Sequence, residues 1–119
     1  METEKRRKMI KAEFSRCEED WLRLRIDGHA GYGGEGNDIV CAAVSGIFYS
    51  LCGYLSNFYS DEVRLDYVGS GHADVRCSAV GEEAMKLACI GIWQISLTYP
   101  EYVEVENHAW NWKMNPCRA

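Results

Sequence analysis

The 119-residue sequence has only two prolines and three histidines, and it lacks an excess of positive charge. Thirteen Lys and Arg residues against eighteen Asp and Glu residues give a net charge of −5, which argues against a general nucleic-acid-binding protein. The 47% of hydrophobic residues excludes a disordered or low-complexity chain and predicts a packed globular protein. The length corresponds to one domain with a core of its own.

The sequence also lacks a C-x-x-C pair, and no apolar stretch follows its basic cluster Lys5-Arg6-Arg7-Lys8. We therefore expect no signal peptide and a cytoplasmic location. The six cysteines are then expected to be reduced thiols, most of them small core residues. These cysteines are Cys17, Cys41, Cys52, Cys77, Cys89 and Cys117.

Residues 39–60 carry no charge and are numerous enough to span a bilayer. Their serines, asparagine and tyrosines, which become more frequent toward residue 60, favour a buried helix of a soluble protein instead. We expect no membrane association.

Apolar and polar residues alternate in five segments, and two longer apolar segments separate them in the order ββαββαβ. This pattern predicts an α+β fold with two β-hairpins, two helices and a final strand. The predicted organisation is a charged N-terminal tail (1–8), a single domain (9–107) and a C-terminal tail of unknown role (108–119). The predicted strands and helices lie near residues 9–16, 21–27, 38–56, 63–67, 73–79, 82–99 and 102–106.

Two possible binding motifs are not supported by their surroundings. The run Gly31–Gly36 matches G-x-G-x-x-G, but the strand before it alternates with Arg23 and Arg25, unlike a strand buried on both faces. A hairpin, and not a returning parallel strand, follows the next helix. The possible metal ligands His29, Cys41, His72 and Cys77 do not have the spacing of a known zinc site. We expect no metal and no cofactor.

His29 and Cys41 are instead candidates for a base and a nucleophile. Cys41 lies three residues after Asp38, a predicted N-cap, so its thiol falls in the first turn of a helix. The positive end of the helix favours a thiolate there, and the free N–H groups of that turn could bind an oxyanion. The eleven intervening residues allow His29 to reach the sulfur. Residue types alone leave two interpretations open, a nucleophile and an inert cysteine of the core.

The eighteen residues from Gly28 to Ser45 also resemble the signature of a known protein family. Gly28-His29-Ala30-Gly31-Tyr32, then Gly36, then Asp38-Ile39-Val40-Cys41-Ala42-Ala43-Val44-Ser45 resemble the signature of the ribosomal-processing cysteine protease family. The resemblance extends over roughly residues 9–106, and Tyr99-Pro100-Glu101-Tyr102 before the last strand agrees with it.

The resemblance implies a cysteine endopeptidase that removes the N-terminal extension of a large-subunit ribosomal protein. It implies Cys41 as nucleophile, His29 as general base and then acid, and a homodimer. Supporting roles fall to Gly28, Asp38 and Ser45. The glycines of the intervening loop, which suggest gating by substrate, are Gly31, Gly33, Gly34 and Gly36.

Two alternatives of other classes remain at this point. A non-catalytic ribosome-associated protein could bind a peptide at the same loop and helix end without cutting it. A thiol-based redox protein is the third interpretation, although no resolving cysteine stands beside Cys41 in the sequence.

Overall fold

The computed structural model describes residues 9–29, 38–69 and 71–117. It contains one five-stranded mixed sheet and two α-helices, which confirms the predicted α+β class and the ββαββαβ order. The strands follow one another across the sheet in the order β3-β4-β2-β1-β5. The elements are β1 (Ile10–Arg16), β2 (Leu22–Asp27), α1 (Ile39–Phe58), β3 (Val63–Gly69), β4 (His72–Cys77), α2 (Glu82–Thr98) and β5 (Val103–Asn107).

The sheet has one apolar face because its central strands alternate in the sequence. Phe14 of β1, Leu24 of β2 and Val75 of β4 are fully buried on that face. Helices α1 and α2 pack against each other and cover it. The buried residues of α1 recur every three or four positions, and they are Val40, Val44, Phe48, Leu51, Cys52 and Leu55.

The length and composition of α1 alone would allow it to cross a membrane, with a mean hydropathy of 1.7. One third of its most apolar window is buried inside the protein. The buried stripe faces the sheet, as expected for the core helix of a globular domain.

A tight turn joins β1 to β2 without a glycine. Glu19 and Asp20 both have left-handed backbone conformations, with φ of 61° and 64°. The Trp21 amide donates to the Glu18 carbonyl over 3.2 Å and closes the turn. Two successive positive φ values match the twist of an antiparallel hairpin, which explains why this strained backbone is tolerated here.

The first and last strands of the chain are neighbours. Strand β5 pairs in parallel with β1, so that Ile10 lies beside Val103, and the Ile10 amide donates to the Tyr102 carbonyl over 2.8 Å. The chain between them is long enough for a parallel pair, and its last segment, helix α2, leads from β4 to β5. The pairing places β5 one residue later than the sequence pattern predicts, at Val103–Asn107.

The other face of the sheet carries cross-strand ion pairs. Arg23 of β2 donates from Nε to Asp74 of β4 over 2.9 Å, and this guanidinium lowers the pKa of the Asp74 carboxyl despite its burial. Arg76 holds Asp66 of the neighbouring strand over 2.8 Å. Opposite charges therefore face one another across this surface, which fits the lack of excess positive charge in the composition.

Residues 108–117, here named the C-terminal strap, pack along β1 and α2. Trp110 contacts Phe14 with a centroid distance of 6.1 Å, stacks on Trp112 at 4.7 Å, and donates from its indole to Glu82 over 2.9 Å. Further along, the Cys117 amide donates to the Gln94 side chain over 3.1 Å. The strap therefore covers one side of α2 from its first turn to its last.

We predict that Trp110→Ala destabilises the domain by about 2–3 kcal/mol, because it removes two ring contacts and a hydrogen bond to a carboxylate. Urea unfolding followed by circular dichroism measures the loss. The matched control is Asn111→Ala, an exposed neighbour, for which a change within about 0.5 kcal/mol is expected. Equal stability of the Trp110 variant and the unmodified chain would show that the strap does not stabilise the fold.

Candidate active site

A cleft of about 490 Å³ opens between the start of α1 and one end of the sheet. Its sheet side is formed where β1 begins, β2 ends and β4 begins. Its helix side is the face of α1 that carries Cys41. The lining residues are Ile10, Ile26, Gly28, His29, Cys41, Val44, Ser45, Phe48, Tyr49, Gly71, His72 and Ala73.

Cys41 is half-buried in the first turn of α1, where the sequence places it. Asp38 is the N-cap, and its carboxylate accepts hydrogen bonds from the amides of Val40 and Cys41 over 3.0 and 2.9 Å. This cap fixes the first turn and hence the place at which the thiol enters the cleft.

The same cap alters the expected oxyanion site. The sequence suggests that free N–H groups of the first turn could bind an oxyanion, but the carboxylate of Asp38 occupies those of Val40 and Cys41. The Ala42 amide donates to the Asp38 carbonyl over 3.1 Å. An oxyanion bound by the Val40 or Cys41 amide would therefore have to compete with Asp38 for that donor.

His29 lies two residues beyond β2 and lines the cleft together with Cys41. Ser45 follows Cys41 by one helical turn on the same face of α1, and Tyr49 follows Ser45 by another. The fold thus brings into one cleft an imidazole, a thiol and a hydroxyl.

The predicted supporting residues have different positions. Gly28 and Ser45 line the cleft, whereas Asp38 acts on it through the helix cap. The predicted gating glycines Gly31, Gly33, Gly34 and Gly36 lie outside the described residues.

Among the cleft residues that sequence reasoning did not identify, Tyr49 and Gly71 bear most on the site. Tyr49 is an aromatic residue with 60% of its surface exposed, and its spacing from Cys41 and Ser45 could have identified it. Gly71 reaches the cleft through strand pairing over a long sequence distance, for which the sequence contains no local signal.

Three other cysteines are core residues. Burial raises the pKa of the Cys52, Cys77 and Cys89 thiols to about 11, so that they stay protonated near neutral pH. The interpretation of Cys52 and Cys89 as inert core residues agrees with this burial.

The cleft residues that could ligate a metal, His29, Cys41 and His72, do not form a compact set of ligands. Over residues 9–29, 38–69 and 71–117, one compact group of metal-ligating side chains occurs, namely Glu13, Glu106 and His108, and none of these lines the cleft. Lys11 already forms an ion pair with Glu106 over 3.1 Å.

A cysteine thiol at a helix N-terminus that shares a cleft with an imidazole is the arrangement of a cysteine hydrolase. The model of the cysteine protease Prp family matches residues 9–104, nearly the whole described domain. The chain belongs to this family, and it is a cysteine endopeptidase. The charged start of the chain and the C-terminal strap lie outside the matched residues.

Solved structures share this fold. The ribosomal processing protease Prp from S. aureus, in complex with a covalently linked product peptide, is 22% identical with a TM-score of 0.73. The alignment covers 83% of this chain and 99% of that one. SMU.848 from Streptococcus mutans is 28% identical with a TM-score of 0.65, over 84% of this chain and 94% of that one.

A second structure of the S. aureus protease contains a substrate peptide and is 23% identical, with a TM-score of 0.66 over 83% of this chain and 99% of that one. No curated protein matches the chain.

Proposed function

We propose that this endopeptidase removes the N-terminal extension of a large-subunit ribosomal protein, with Cys41 as nucleophile and His29 as general base. The observation that carries the proposal is that His29 and Cys41 line the same cleft in a chain of the cysteine protease Prp family. The S. aureus relative, described as a ribosomal processing protease, supports the choice of substrate.

In the proposed reaction His29 takes the proton from the Cys41 sulfur, and the thiolate attacks the carbonyl carbon of the scissile peptide bond. The imidazolium then gives its proton to the leaving amine, which leaves a thioester on Cys41. His29 next activates a water molecule, which hydrolyses the thioester and releases the product acid. No cofactor is needed for these steps.

The supporting residues act on the position of these groups. Asp38 holds the helix end that carries Cys41 through its two amide hydrogen bonds. We place Ser45 beside the reacting carbonyl, because its hydroxyl lies one turn from Cys41 on the cleft side of α1. Gly28 allows the chain to turn before His29, since its φ is +97° and an added Cβ would lie 2.2 Å from the Met9 carbonyl oxygen.

We predict that incubation with a ribosomal protein carrying its N-terminal extension produces one defined N-terminal loss, measured by intact mass spectrometry. Cys41→Ala and His29→Ala should each lower the rate by about 10³-fold or more, because each removes a reacting group. Cys117→Ala, which removes an exposed thiol outside the cleft, is the control and should cleave normally.

Cleavage that persists in Cys41→Ala would contradict the assignment of the nucleophile. A substrate that co-purifies with the unmodified chain but loses no residues over hours would instead support the alternative, a ribosome-associated peptide-binding protein.

The cleft also suggests which side chains the substrate carries. Tyr49 lies eight residues beyond Cys41 on α1, which corresponds to about 12 Å along the helix. Its ring contacts Phe48 at a centroid distance of 5.9 Å, and Ile10 and Ile26 line the same cleft. An extended peptide advances about 3.3 Å per residue, so we place an aromatic or large apolar side chain three or four residues from the scissile bond at Tyr49.

We predict that Tyr49→Ala raises KM for such a peptide by about tenfold and changes kcat little, because the contact is remote from the reacting bond. Tyr49→Phe should retain the affinity. The control is Phe58→Ala, an exposed aromatic residue at the end of the same helix outside the cleft, measured with a fluorogenic peptide. An unchanged KM in Tyr49→Ala would place the apolar side chain elsewhere.

We also propose that the chain forms a homodimer, as the family resemblance implies. An apolar groove of about 940 Å³ lies between the outer faces of α1 and α2, lined by Ile47, Tyr54 and Leu87 among others. Leu87 is 75% exposed and projects from this face, whereas small residues such as Gly46 and Gly91 leave depressions in it. A two-fold interface requires this kind of self-complementary surface.

Leu87→Glu should convert the dimer to a monomer in sedimentation equilibrium, because it places a charge in an apolar interface. Leu97→Glu, an exposed position of the same helix outside the groove, is the control and should remain dimeric. A dimer that withstands Leu87→Glu would use another surface.

A cytoplasmic location completes the proposal. None of the six cysteines, all within the described part of the chain, forms a disulfide. This supports a reducing compartment. Cell fractionation that finds the chain outside the cytoplasm would contradict it.

A further inference from the structure

The position of His29 depends on how the ends of β2 and β4 are joined. The antiparallel ladder between these strands ends with the pair Asp27 and His72. One further hydrogen bond continues it, from the Gly28 amide to the Gly71 carbonyl over 2.8 Å. His29 is the next residue, so the position of its backbone follows from the hydrogen bond between Gly28 and Gly71.

Gly71 leaves room for the imidazole of His29. A Cβ added at Gly71 would lie 2.6 Å from Nε2 of His29 and 3.0 Å from its Cδ2. Gly71 also has a φ of +76°, which L side chains rarely adopt. The ring therefore lies against the backbone of β4, and this placement requires a residue without a side chain.

The two glycines that face each other, Gly28 and Gly71, have no side chains with which to hold the strand ends together. The adjacent pair supplies the missing contact, because Nδ1 of His72 is hydrogen-bonded to Oδ1 of Asp27. Arg25 lies 3.3 Å from the other oxygen of this carboxylate. The hydrogen-bonded side chains of Asp27 and His72 thus hold the two strands together directly beside the glycine pair.

We propose that Gly71 and the Asp27–His72 pair are positioning residues that hold the imidazole of His29 in place for Cys41. This inference rests on the proposed function, since it takes His29 as the base of the reaction. Gly71 sets where the ring can lie, and the Asp27–His72 pair keeps Gly71 opposite Gly28.

The first test measures the contact itself, without any substrate. In the unmodified protein, NMR should show nuclear Overhauser effects between the Hα protons of Gly71 and the ring protons of His29. Their absence would overturn the proposal. This measurement does not depend on whether the chain cleaves a ribosomal protein.

The second test measures the reactivity of Cys41 toward iodoacetamide across pH 5–9, with peptide mapping to isolate this thiol. His29→Ala should slow alkylation near neutral pH, and Gly71→Ala should slow it to a similar degree, because both deprive Cys41 of its imidazole. Gly71→Ala should also lower kcat by about 10²-fold, the effect of a catalytic group displaced by about 1 Å.

Gly53→Ala is the matched control for Gly71→Ala, since an added Cβ at Gly53 meets no atom within 4 Å. It should alkylate and cleave as the unmodified chain does. A folded Gly71→Ala protein with unchanged alkylation and kcat would overturn the proposal. If His29→Ala leaves alkylation unchanged while the NMR contact is present, the dyad fails and the placement of the ring stands.

The third test addresses the Asp27–His72 pair. Asp27→Ala and His72→Ala should each lower kcat by about three- to tenfold, and the double variant should lose clearly less than the product of the two single losses, because the two residues share one contact. His72→Lys again offers Asp27 a side-chain donor and should recover most of the rate that His72→Ala loses. Additive losses in the double variant, or no recovery with lysine, would show that the pair does not act on His29 as a unit.

Discussion

The packing of α1 on the apolar face of the sheet is the interaction on which the site depends. Six buried side chains of α1 fix the rotation of the helix about its own axis. That rotation determines which face of α1 lies toward the strand ends that form the cleft. This face carries Cys41, Ser45 and Tyr49. The burial of apolar surface therefore orients the thiol as well as stabilising the domain. The Asp38 cap then completes the first turn, so that the thiol comes from a rigid element.

The elements of the fold could be predicted because each has a local signal. Alternation in β1 and β2, the Asp38 cap and the acidic start of α2 at Glu82 all act within a few residues of one another. The resemblance of residues 28–45 pointed to His29 and Cys41, which the fold places in one cleft, since composition alone left Cys41 open between nucleophile and core residue.

The remaining parts of the site depend on contacts between distant residues. Gly71 meets His29 only because β4 pairs with β2, and a glycine in a sequence does not show what lies against it. The packing of the C-terminal strap could not be predicted either, because Trp110 and Trp112 follow no helical or strand period. They reach their partners Phe14 and Lys86 through tertiary packing. The capping pattern in the sequence predicts that Asp38 is the N-cap of α1. It does not show that the carboxylate binds the Cys41 amide and so competes with an oxyanion, because that contact depends on the side-chain rotamer.

The parallel pairing of β5 with β1 has a consequence for how the enzyme becomes active. Ile10 of β1 lines the cleft, and its amide is held by the Tyr102 carbonyl just before β5. Contacts between such distant parts of a chain form late and slowly, because a large loop must close first. The wall of the cleft is therefore finished only when the last strand docks. A nascent or truncated chain without β5 would carry both His29 and Cys41 and still lack a finished cleft between them.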